Sequence, residues 1–286
     1  MNESAVSGLI DLALAEDLGT EGDLTSRTFV DPEHTSRGRL AFREDAVVAG
    51  LTVAQEVFRR VEPSLVWTGY VNEGDRVGAG SVAAEVEGPT SAILTAERTA
   101  LNFLQRLSGV ATVTRTYVDA VRGLPVAILD TRKTTPGWRL LEKAAVASGG
   151  GQNHRMGLFD AVMVKDNHLV ANKSPVDIEQ RIRTLRQERP GLTIEVEADT
   201  LEQVETFLSL EGIDIVLLDN MDCGQLRKAV QQRDEMARSV RLEASGGITL
   251  ESVRSIAETG VDRISVGALT HSVRSIDIGL DLLATT

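Results

Sequence analysis

The sequence predicts an α/β protein: an N-terminal α+β sandwich-like domain followed by an incomplete parallel α/β barrel of about six or seven strands. Short β-like runs lie beside amphipathic helices in the first third, which is typical of an antiparallel sheet with packed helices. From Pro125 onward, short apolar runs alternate with segments long enough for crossover helices, which indicates a parallel sheet. We therefore place the domains at residues 1–110 and 111–270, with a C-terminal helix over 271–286 packing back on the first domain.

The first domain combines helical periodicity with strand-like runs. Apolar residues from Val6 to Leu14 recur at helical spacing until Gly19, so we predict a helix there and a second one over residues 53–61. The stretch YVNEGDRVGAGSVAAEVEG resembles lipoyl and biotinyl carrier domains but contains no lysine to modify, so we interpret it as a structural sheet. ERTALNFLQRLSGVATVTRTYVDAVRG predicts a long linking helix. Five runs predict strands: RGRLAF, AVVAGL, SLVWTGYV, SVAAEVEG and SAILTAE.

The second domain contains six clear apolar runs that predict buried parallel strands. They are VAILD, AVMVK, TIEVE, IDIVLLD, RLEAS and RISVG. The predicted domain that contains these runs has about 160 residues, whereas a closed eight-stranded barrel usually needs about 250, so we expect a small or incomplete barrel. A doubly wound open sheet is the alternative, but the first run is not followed by the glycine fingerprint of dinucleotide-binding folds.

The overall charge limits the classes of partner. Forty-two acidic and thirty basic side chains give a formal charge of -12, which disfavours binding to nucleic acid or an anionic membrane. The one cysteine, Cys223, cannot form an intrachain disulfide or a cysteine-based zinc cluster and fits a reducing compartment. The N-terminus lacks the basic start and long apolar centre of a signal peptide, so we expect a cytoplasmic protein without a membrane partner.

Polar residues terminate the predicted parallel strands. In a parallel barrel all strand carboxyl ends open on one face, so we expect these residues to converge on one pocket. For any single residue, the beginning of a solvated loop is the alternative interpretation. The residues are Asp130, Arg132, Lys133, Lys165, Asp166, Glu197, Asp219, Ser245, Gly246, Gly247 and Gly267.

The charges around these strand ends favour a small polyanionic substrate. Between Asp130 and His168, six basic residues outnumber four acidic ones, in a chain that is otherwise strongly acidic. Arginine grips carboxylates or phosphates with two hydrogen bonds, and lysine acts as a point charge. We interpret His154 and Arg155, after the glycine-rich GGGQ, as anion-binding, and His168 as a supporting residue or a loop cap. The basic residues are Arg132, Lys133, Arg139, Lys143, Arg155 and Lys165, of which Lys143 and Arg139 also fit a helix surface.

Two further groups suggest phosphate and metal binding. EASGGI and ISVGALTHS follow the last two predicted strands, where barrels often bind phosphate through backbone N–H groups. Glu197 and Asp219 are carboxylates in an otherwise cationic region and suit a hydrated Mg²⁺ that also contacts substrate phosphates. Alternatively, both carboxylates are structural partners of the basic residues.

Taken together, these motifs resemble the quinolinate phosphoribosyltransferase family. The resemblance rests on DTRKTTPG, GGGQNHRMGLFDAVMVKDNH, EVEAD, LLDN, ASGG and VGALTHS, and it extends to EDLGTEGDLTS and AERTALNFLQRLSG. It implies an N-terminal α/β domain with an incomplete barrel. It also implies a decarboxylating enzyme that converts quinolinate and phosphoribosyl pyrophosphate into nicotinate mononucleotide, pyrophosphate and CO₂ in NAD biosynthesis. The family requires Mg²⁺.

The resemblance also implies roles for individual residues. Arg98 enters the site of the partner subunit in a homodimer, which is assembled further in some members. Thr131, Arg132, Lys133, His154, Arg155 and Lys165 bind substrate, and Lys133 and Lys165 also lie near the phosphoribosyl group. Glu197 and Asp219 face the ribose and the metal and, with the two lysines, form the catalytic set. Ser245, Gly246, Gly247, Gly267 and Ala268 hold the 5′-phosphate.

Three other interpretations remain open from the sequence. One is a related phosphoribosyltransferase of the subgroup associated with molybdenum transport. Another is a lyase that uses Lys133 or Lys165 to form a Schiff base, which would require a desolvated, neutral lysine. The third is a non-enzymatic carrier or scaffold, against which the absence of a carrier lysine argues.

Overall fold

Two large sheets and one two-stranded sheet organise the described part of the chain, together with their helices. The computed structural model describes residues 3–165 and 175–283. The helices are α1 (Glu3–Leu18), α2 (Leu24–Phe29), α3 (Leu51–Val61), α4 (Thr90–Ala120), α5 (Arg139–Ser148), α6 (Pro175–Glu188), α7 (Leu201–Leu208), α8 (Cys223–Met236), α9 (Leu250–Ala257) and α10 (Ala268–His271). The strands are β1 (Thr35–Phe42), β2 (Ala46–Val47), β3 (Val66–Gly69), β4 (Arg76–Val77), β5 (Val82–Pro89), β6 (Ala127–Leu129), β7 (Ala161–Val164), β8 (Thr193–Ala198), β9 (Ile215–Asp219), β10 (Arg241–Ser245), β11 (Arg263–Ser265) and β12 (Ile278–Leu283).

The parallel sheet has the order β6-β11-β10-β9-β8-β7. All six apolar runs of the second domain form strands, so this part of the fold prediction is confirmed. β6 and β7 follow each other in the chain but lie at opposite edges of the sheet, as expected for a parallel barrel that is not closed. The core beside this sheet includes the fully buried side chains of Ile194 and Val196 on β8 and of Leu218 on β9.

The first sheet is antiparallel, with the order β12-β1-β5-β3. The helices predicted around Val6–Leu14 and over residues 53–61 are confirmed as α1 and α3. Of the run AVVAGL, only Ala46 and Val47 form a strand, which pairs with β4. Among the helices that the structure describes, none has both the length and the apolar character needed to cross a bilayer.

Two predicted elements are wrong. The run SAILTAE is not a strand but the first part of α4, because Ile93, Ala96 and Ala100 continue the helical spacing of the residues that follow and are all fully buried. The helix predicted over 271–286 is also wrong in its described part. There Ile278–Leu283 forms β12, which pairs antiparallel with β1 and so joins the first sheet.

The compact units do not follow a single cut at residue 110. The first unit comprises the chain up to residue 115, residues 134–150, and the chain from residue 269; the second comprises 116–133 and 151–268. Residues 134–150 belong to the first unit because α5 packs on α4. Trp138 stacks on Phe103 with ring centroids 4.8 Å apart, and the buried carboxylate of Glu142 pairs with Arg106 at 3.0 Å.

Candidate active site

The register of the parallel strands brings their polar ends to one cavity of the second unit. Leu217 lies opposite Glu197, and Asp219 lies opposite Ser245. Because side chains alternate across a strand, residues two apart face the same side, and this side is the cavity. The cavity has a volume of about 200 Å³. Its lining residues are Thr131, Arg132, Lys133, His154, Arg155, Met163, Lys165, Glu197, Leu217, Asp219, Ser245 and Ser265.

Some of the predicted site residues lie elsewhere. Gly246, Gly247, Gly267 and Ala268 follow β10 and β11 but are not among the residues that line the cavity. Arg98 lies on α4 in the first unit with a side chain that is 60% exposed, and its guanidinium is 4.0 Å from Glu97. Asp166 and His168 lie outside the described residues.

Lys165 forms an ion pair with Glu197 across the cavity. The ammonium donates a hydrogen bond to Oε2 of Glu197, and the carboxylate is 10% exposed. This contact fixes the position of both side chains at the carboxyl ends of β7 and β8. It also supports the alternative interpretation of Glu197 as the structural partner of a basic residue.

A backbone bridge carries His154 and Arg155 to the cavity. Gln152 forms an isolated parallel bridge with Leu129, and its amide donates to the carbonyl of Ile128 at 2.8 Å. The buried carboxylate of Asp130 then accepts the amide hydrogen of His154 at 2.9 Å. The loop after α5 therefore continues the sheet beside β6, and Asp130 anchors it.

Beneath the cavity lies a buried cluster of charged side chains from three strands and this loop. Nε2 of His154 is 3.0 Å from Oε2 of Glu195 and 3.3 Å from Oε1 of Glu243. Arg263 and Ser265 donate to Glu243 at 2.7 and 2.6 Å. Two carboxylates thus face one guanidinium and one imidazole, and the charges balance when the imidazole is protonated.

The cluster favours the charged form of His154. Burial lowers the pKa of His154, but hydrogen bonds and the charges of Glu195 and Glu243 outweigh it and raise the pKa to about 9. The amide of Arg155 lies 2.7 Å from Nδ1 and can donate to it only when Nδ1 carries no proton. The carboxylate of Glu243, whose ionised form the cluster favours, acts more strongly on the ring than this one amide hydrogen bond.

The pKa values of the two carboxylates in this cluster are shifted in opposite directions. Burial raises the pKa of Glu195, and the neighbouring charge of Glu243 adds to the effect. Burial also acts to raise the pKa of Glu243, but the contacts with His154, Arg263 and Ser265 outweigh it, and the pKa is lowered. Glu243 is therefore the partner of His154 whose ionised form the cluster favours.

The arginines of the cavity create a strong preference for an anion. Burial lowers the pKa of Arg155, and the like charge of Arg132 lowers it further. The guanidinium of Arg155 donates to the carbonyl of Ala161 at 3.3 Å and lies 3.6 Å from the sulfur of Met163. A bound anion would relieve the repulsion between the two guanidinium groups.

One interpretation of the surrounding segment is wrong. Lys143 is not on a helix surface but is fully buried. The amides of Gly149 and Gly150 donate to the carbonyls of Ala145 and Ala147, so they cap α5 rather than bind an anion. At Gly149 a Cβ atom would lie 2.5 Å from the carbonyl oxygen of Ala111, which explains glycine at this contact with α4.

A larger cavity, of about 720 Å³, lies between α1 and α3 in the first unit. Among its described lining residues the ionisable ones are Glu56 and Arg60, which pair with each other at 2.9 Å. Arg60 also pairs with Asp11. We therefore assign the chemistry to the smaller cavity of the second unit, where cations and carboxylates face the open space.

The donor atoms of Glu197 and Asp219 fit a hydrated Mg²⁺, which prefers carboxylate oxygens and retains several waters. The ion pair with Lys165 leaves Asp219 as the carboxylate better placed for this role. His154, Glu195 and Glu243 also have the spacing of a cation site, but Arg263 already donates to Glu243 there.

Sequence reasoning missed Glu195, Glu243 and Arg263. Their signal was present: TIEVE places Glu195 two residues before Glu197, on the same face of β8, and RLEAS places Glu243 two residues before Ser245. A carboxylate inside an apolar strand indicates a buried partner, because an isolated buried charge is strongly disfavoured.

Comparisons with known proteins agree over nearly the whole chain. The chain is 46% identical over 283 residues to the nicotinate-nucleotide pyrophosphorylase [carboxylating] of Mycobacterium leprae, covering 97% of both chains. It is 41% identical over 295 residues to a quinolinate phosphoribosyltransferase [decarboxylating] of Nicotiana tabacum, covering 97% of this chain and 82% of the relative.

Solved structures and family models give the same result. The structure of the nicotinate-nucleotide pyrophosphorylase from Francisella tularensis matches with a TM-score of 0.89 at 37% identity, covering 99% of this chain and 98% of that one. The models of the quinolinate phosphoribosyl transferase N-terminal and C-terminal domains match residues 23–108 and 110–281. The chain belongs to the quinolinate phosphoribosyltransferase family.

Proposed function

We propose that this chain transfers the phosphoribosyl group of phosphoribosyl pyrophosphate to quinolinate with loss of CO₂, giving nicotinate mononucleotide and pyrophosphate for NAD biosynthesis. The observation that carries this proposal is the composition of the second unit's cavity. Four cationic side chains, Arg132, Lys133, Arg155 and Lys165, line it together with the carboxylates of Glu197 and Asp219. A dicarboxylate and a phosphorylated sugar match this set of charges.

Quinolinate occupies the end of the cavity formed by Arg132, His154 and Arg155. The two guanidinium groups offer paired N–H donors to carboxylates, and Glu195 and Glu243 keep the imidazole of His154 cationic. Thr131 supports this end, because its hydroxyl accepts the amide hydrogen of Lys133 at 3.0 Å. The guanidinium groups of Arg132 and Arg155 thus compensate the two charges of the substrate.

The phosphoribosyl group lies toward β9 and β10. Lys133 and Lys165 reach it from the side of quinolinate, and Ser245 to Gly247, with Gly267 and Ala268, hold its 5′-phosphate. Glu197 and Asp219 face the ribose and the metal. When bound, Mg²⁺ supplies charge stabilisation to the departing pyrophosphate.

The reaction requires positioning rather than a protein nucleophile. The pyridine nitrogen attacks the anomeric carbon of the ribose while the bond to pyrophosphate breaks, and Glu197 and Asp219 stabilise the positive charge that develops on the sugar. As CO₂ leaves, the electron pair of the broken carbon–carboxylate bond stays on the ring carbon, where the positive charge of the adjacent alkylated nitrogen stabilises it. A proton then replaces CO₂ at that carbon.

The Schiff-base alternative fits the cavity less well. The side-chain nitrogen of Lys165 already donates a hydrogen bond to Glu197, whereas attack on a carbonyl requires a free amine. Borohydride reduction in the presence of a carbonyl substrate tests this directly, because only a lyase would give a covalent adduct on Lys133 or Lys165. Among the residues that the structure describes, no contact in the cavity favours the subgroup associated with molybdenum transport.

The assembly is a homodimer, or a larger oligomer of such dimers, in which Arg98 of each subunit completes the quinolinate site of its partner. The exposed guanidinium of Arg98 is available for this contact. The lone cysteine, Cys223, supports a cytoplasmic location as part of the same proposal.

Incubation of the purified protein with quinolinate, phosphoribosyl pyrophosphate and Mg²⁺, followed by chromatography, tests the activity. Nicotinate mononucleotide should form, and its formation should require all three components. A folded protein that gives no nicotinate mononucleotide under these conditions would refute the proposal.

A further inference from the structure

Asn220 has an unusual backbone conformation at the edge of the cavity. It follows Asp219 at the end of β9 and has a φ of 53°, the one positive φ at a non-glycine residue in the part of the chain that the structure describes. Asparagine tolerates the left-handed region better than most residues, but the conformation remains unfavourable compared with the ordinary regions. The position therefore calls for an explanation in the contacts that Asn220 makes.

Three contacts of Asn220 join the ends of two neighbouring strands. Its side-chain amide donates to Oδ2 of Asp219 at 2.6 Å. Its backbone amide donates to the carbonyl of Ser245 at 2.9 Å. Its Oδ1 fills the space over Gly246, where a Cβ atom would lie only 2.2 Å away. The side chain thus touches the carboxylate that ends β9 and the turn that follows β10.

The turn after β10 depends on this packing. Gly246 and Gly247 both have positive φ, at 97° and 58°, so the chain reverses sharply directly after Ser245. Two features require glycine at residue 246: the positive φ of this residue and its close contact with Asn220. Removing the side chain of Asn220 would leave the carboxylate of Asp219 and the Gly246 turn without their common contact.

We infer that Asn220 is a positioning residue that holds the Asp219 carboxylate and the Ser245–Gly247 turn in one arrangement, and that it thereby serves the phosphoribosyl pyrophosphate half of the site. This inference rests on the proposed function, which assigns Asp219 to the ribose and metal and the turn to the 5′-phosphate. The quinolinate half of the cavity is built by other segments, around Arg132 and Arg155.

Two variants separate the side chain from the backbone strain. Asn220→Gly keeps the left-handed conformation accessible and removes the side chain. Asn220→Asp keeps the shape but replaces the amide donor to Asp219 with an oxygen. For both we expect the KM for phosphoribosyl pyrophosphate to rise about tenfold or more, as for loss of a hydrogen bond to a charged group, and the KM for quinolinate to stay within about twofold.

Asn72→Gly is the matched control. Asn72 also donates a side-chain hydrogen bond to an aspartate, Asp75 at 3.3 Å, but it lies in an exposed turn of the first unit. Its kinetic constants should equal those of the wild type. The positioning role is refuted if both Asn220 variants keep the wild-type KM for phosphoribosyl pyrophosphate. It is also refuted if the KM for phosphoribosyl pyrophosphate and the KM for quinolinate rise together while the melting temperature falls.

The contact with Gly246 is tested by a double-mutant cycle. Gly246→Ala should raise the KM for phosphoribosyl pyrophosphate more in the wild type than in Asn220→Gly, because only the wild type has Oδ1 in the way. The strain of a positive φ at residue 246 is common to both backgrounds and cancels in the cycle. Equal effects in the two backgrounds would contradict the coupling, whereas an inactive wild type would instead refute the proposed function.

Discussion

Replacing Glu243 with glutamine removes one of the two buried carboxylates that face Nε2 of His154, while keeping the shape of the side chain. Burial opposes protonation of His154, but the carboxylates raise its pKa from 6.5 to about 9, which corresponds to roughly 3 kcal/mol in favour of the charged ring. An opposite charge this close changes a pKa by about 1 to 3, so we expect the pKa of His154 in Glu243→Gln to fall to about 8 or lower.

The assay is the affinity for quinolinate between pH 6 and pH 10, measured by calorimetry, together with the NMR titration of His154. Nε2 of His154 faces Glu195 and Glu243, so the ring acts on the substrate carboxylate through its charge, and affinity should fall as pH rises through the pKa of His154. Wild-type affinity should stay constant up to about pH 8 and decline near pH 9. In Glu243→Gln the decline should begin at a lower pH.

Glu87→Gln is the matched control, because Glu87 pairs with Arg37 at 2.9 Å on the exposed side of the first sheet. Its profile should follow the wild type. The reasoning is refuted if wild type and Glu243→Gln lose affinity at the same pH, or if His154 titrates near its ordinary pKa in the wild-type protein.

Four further predictions concern the quinolinate site, the metal, the shared site and the core. Arg155→Ala should weaken quinolinate binding about tenfold or more and change phosphoribosyl pyrophosphate binding far less, because a bidentate carboxylate partner is lost. Equal weakening of both substrates in separate binding titrations would contradict the role of Arg155 in binding quinolinate. Removing Mg²⁺ with a chelator should stop turnover and leave quinolinate binding to the free enzyme unchanged by calorimetry, and full activity in chelator would exclude the metal. Mixing Arg98→Ala subunits with Lys133→Ala subunits should restore part of the activity, and failure to do so despite proven subunit exchange would count against a shared site. Leu218→Ala, at a fully buried position of β9, should lower the free energy of unfolding by about 2 to 5 kcal/mol in denaturant titrations. The control Leu12→Ala, at a position that is 64% exposed, should change the free energy of unfolding by less than about 0.5 kcal/mol.

The parallel strands and most of the cavity could be predicted from the sequence, because both follow from local patterns. Each of the six apolar runs is short and bounded by turn residues, and parallel connection places their ends on one face. Lys165, Glu197 and Asp219 therefore converge in the structure as they were expected to. Predicting this convergence requires only the strand pattern and no knowledge of side-chain contacts.

What could not be predicted depends on contacts between distant segments. The pairing of Glu243 with Arg263 requires the register of β10 and β11, which a single sequence does not contain. β12 forms a strand because β1 offers it an unpaired edge, and its residues alone also fitted a helix. Lys143 is buried because α5 packs within the first unit, whereas its position in a charged segment suggested a surface.

The most direct test of the central claim compares quinolinate with nicotinate as the acceptor in the same assay, with phosphoribosyl pyrophosphate and Mg²⁺ present. The cation set of the cavity predicts turnover of quinolinate, with pyrophosphate and CO₂ released in equal amounts, and little or no turnover of nicotinate, which lacks the second carboxylate. Turnover of nicotinate but not of quinolinate would contradict the assignment of Arg132, His154 and Arg155 to a dicarboxylate.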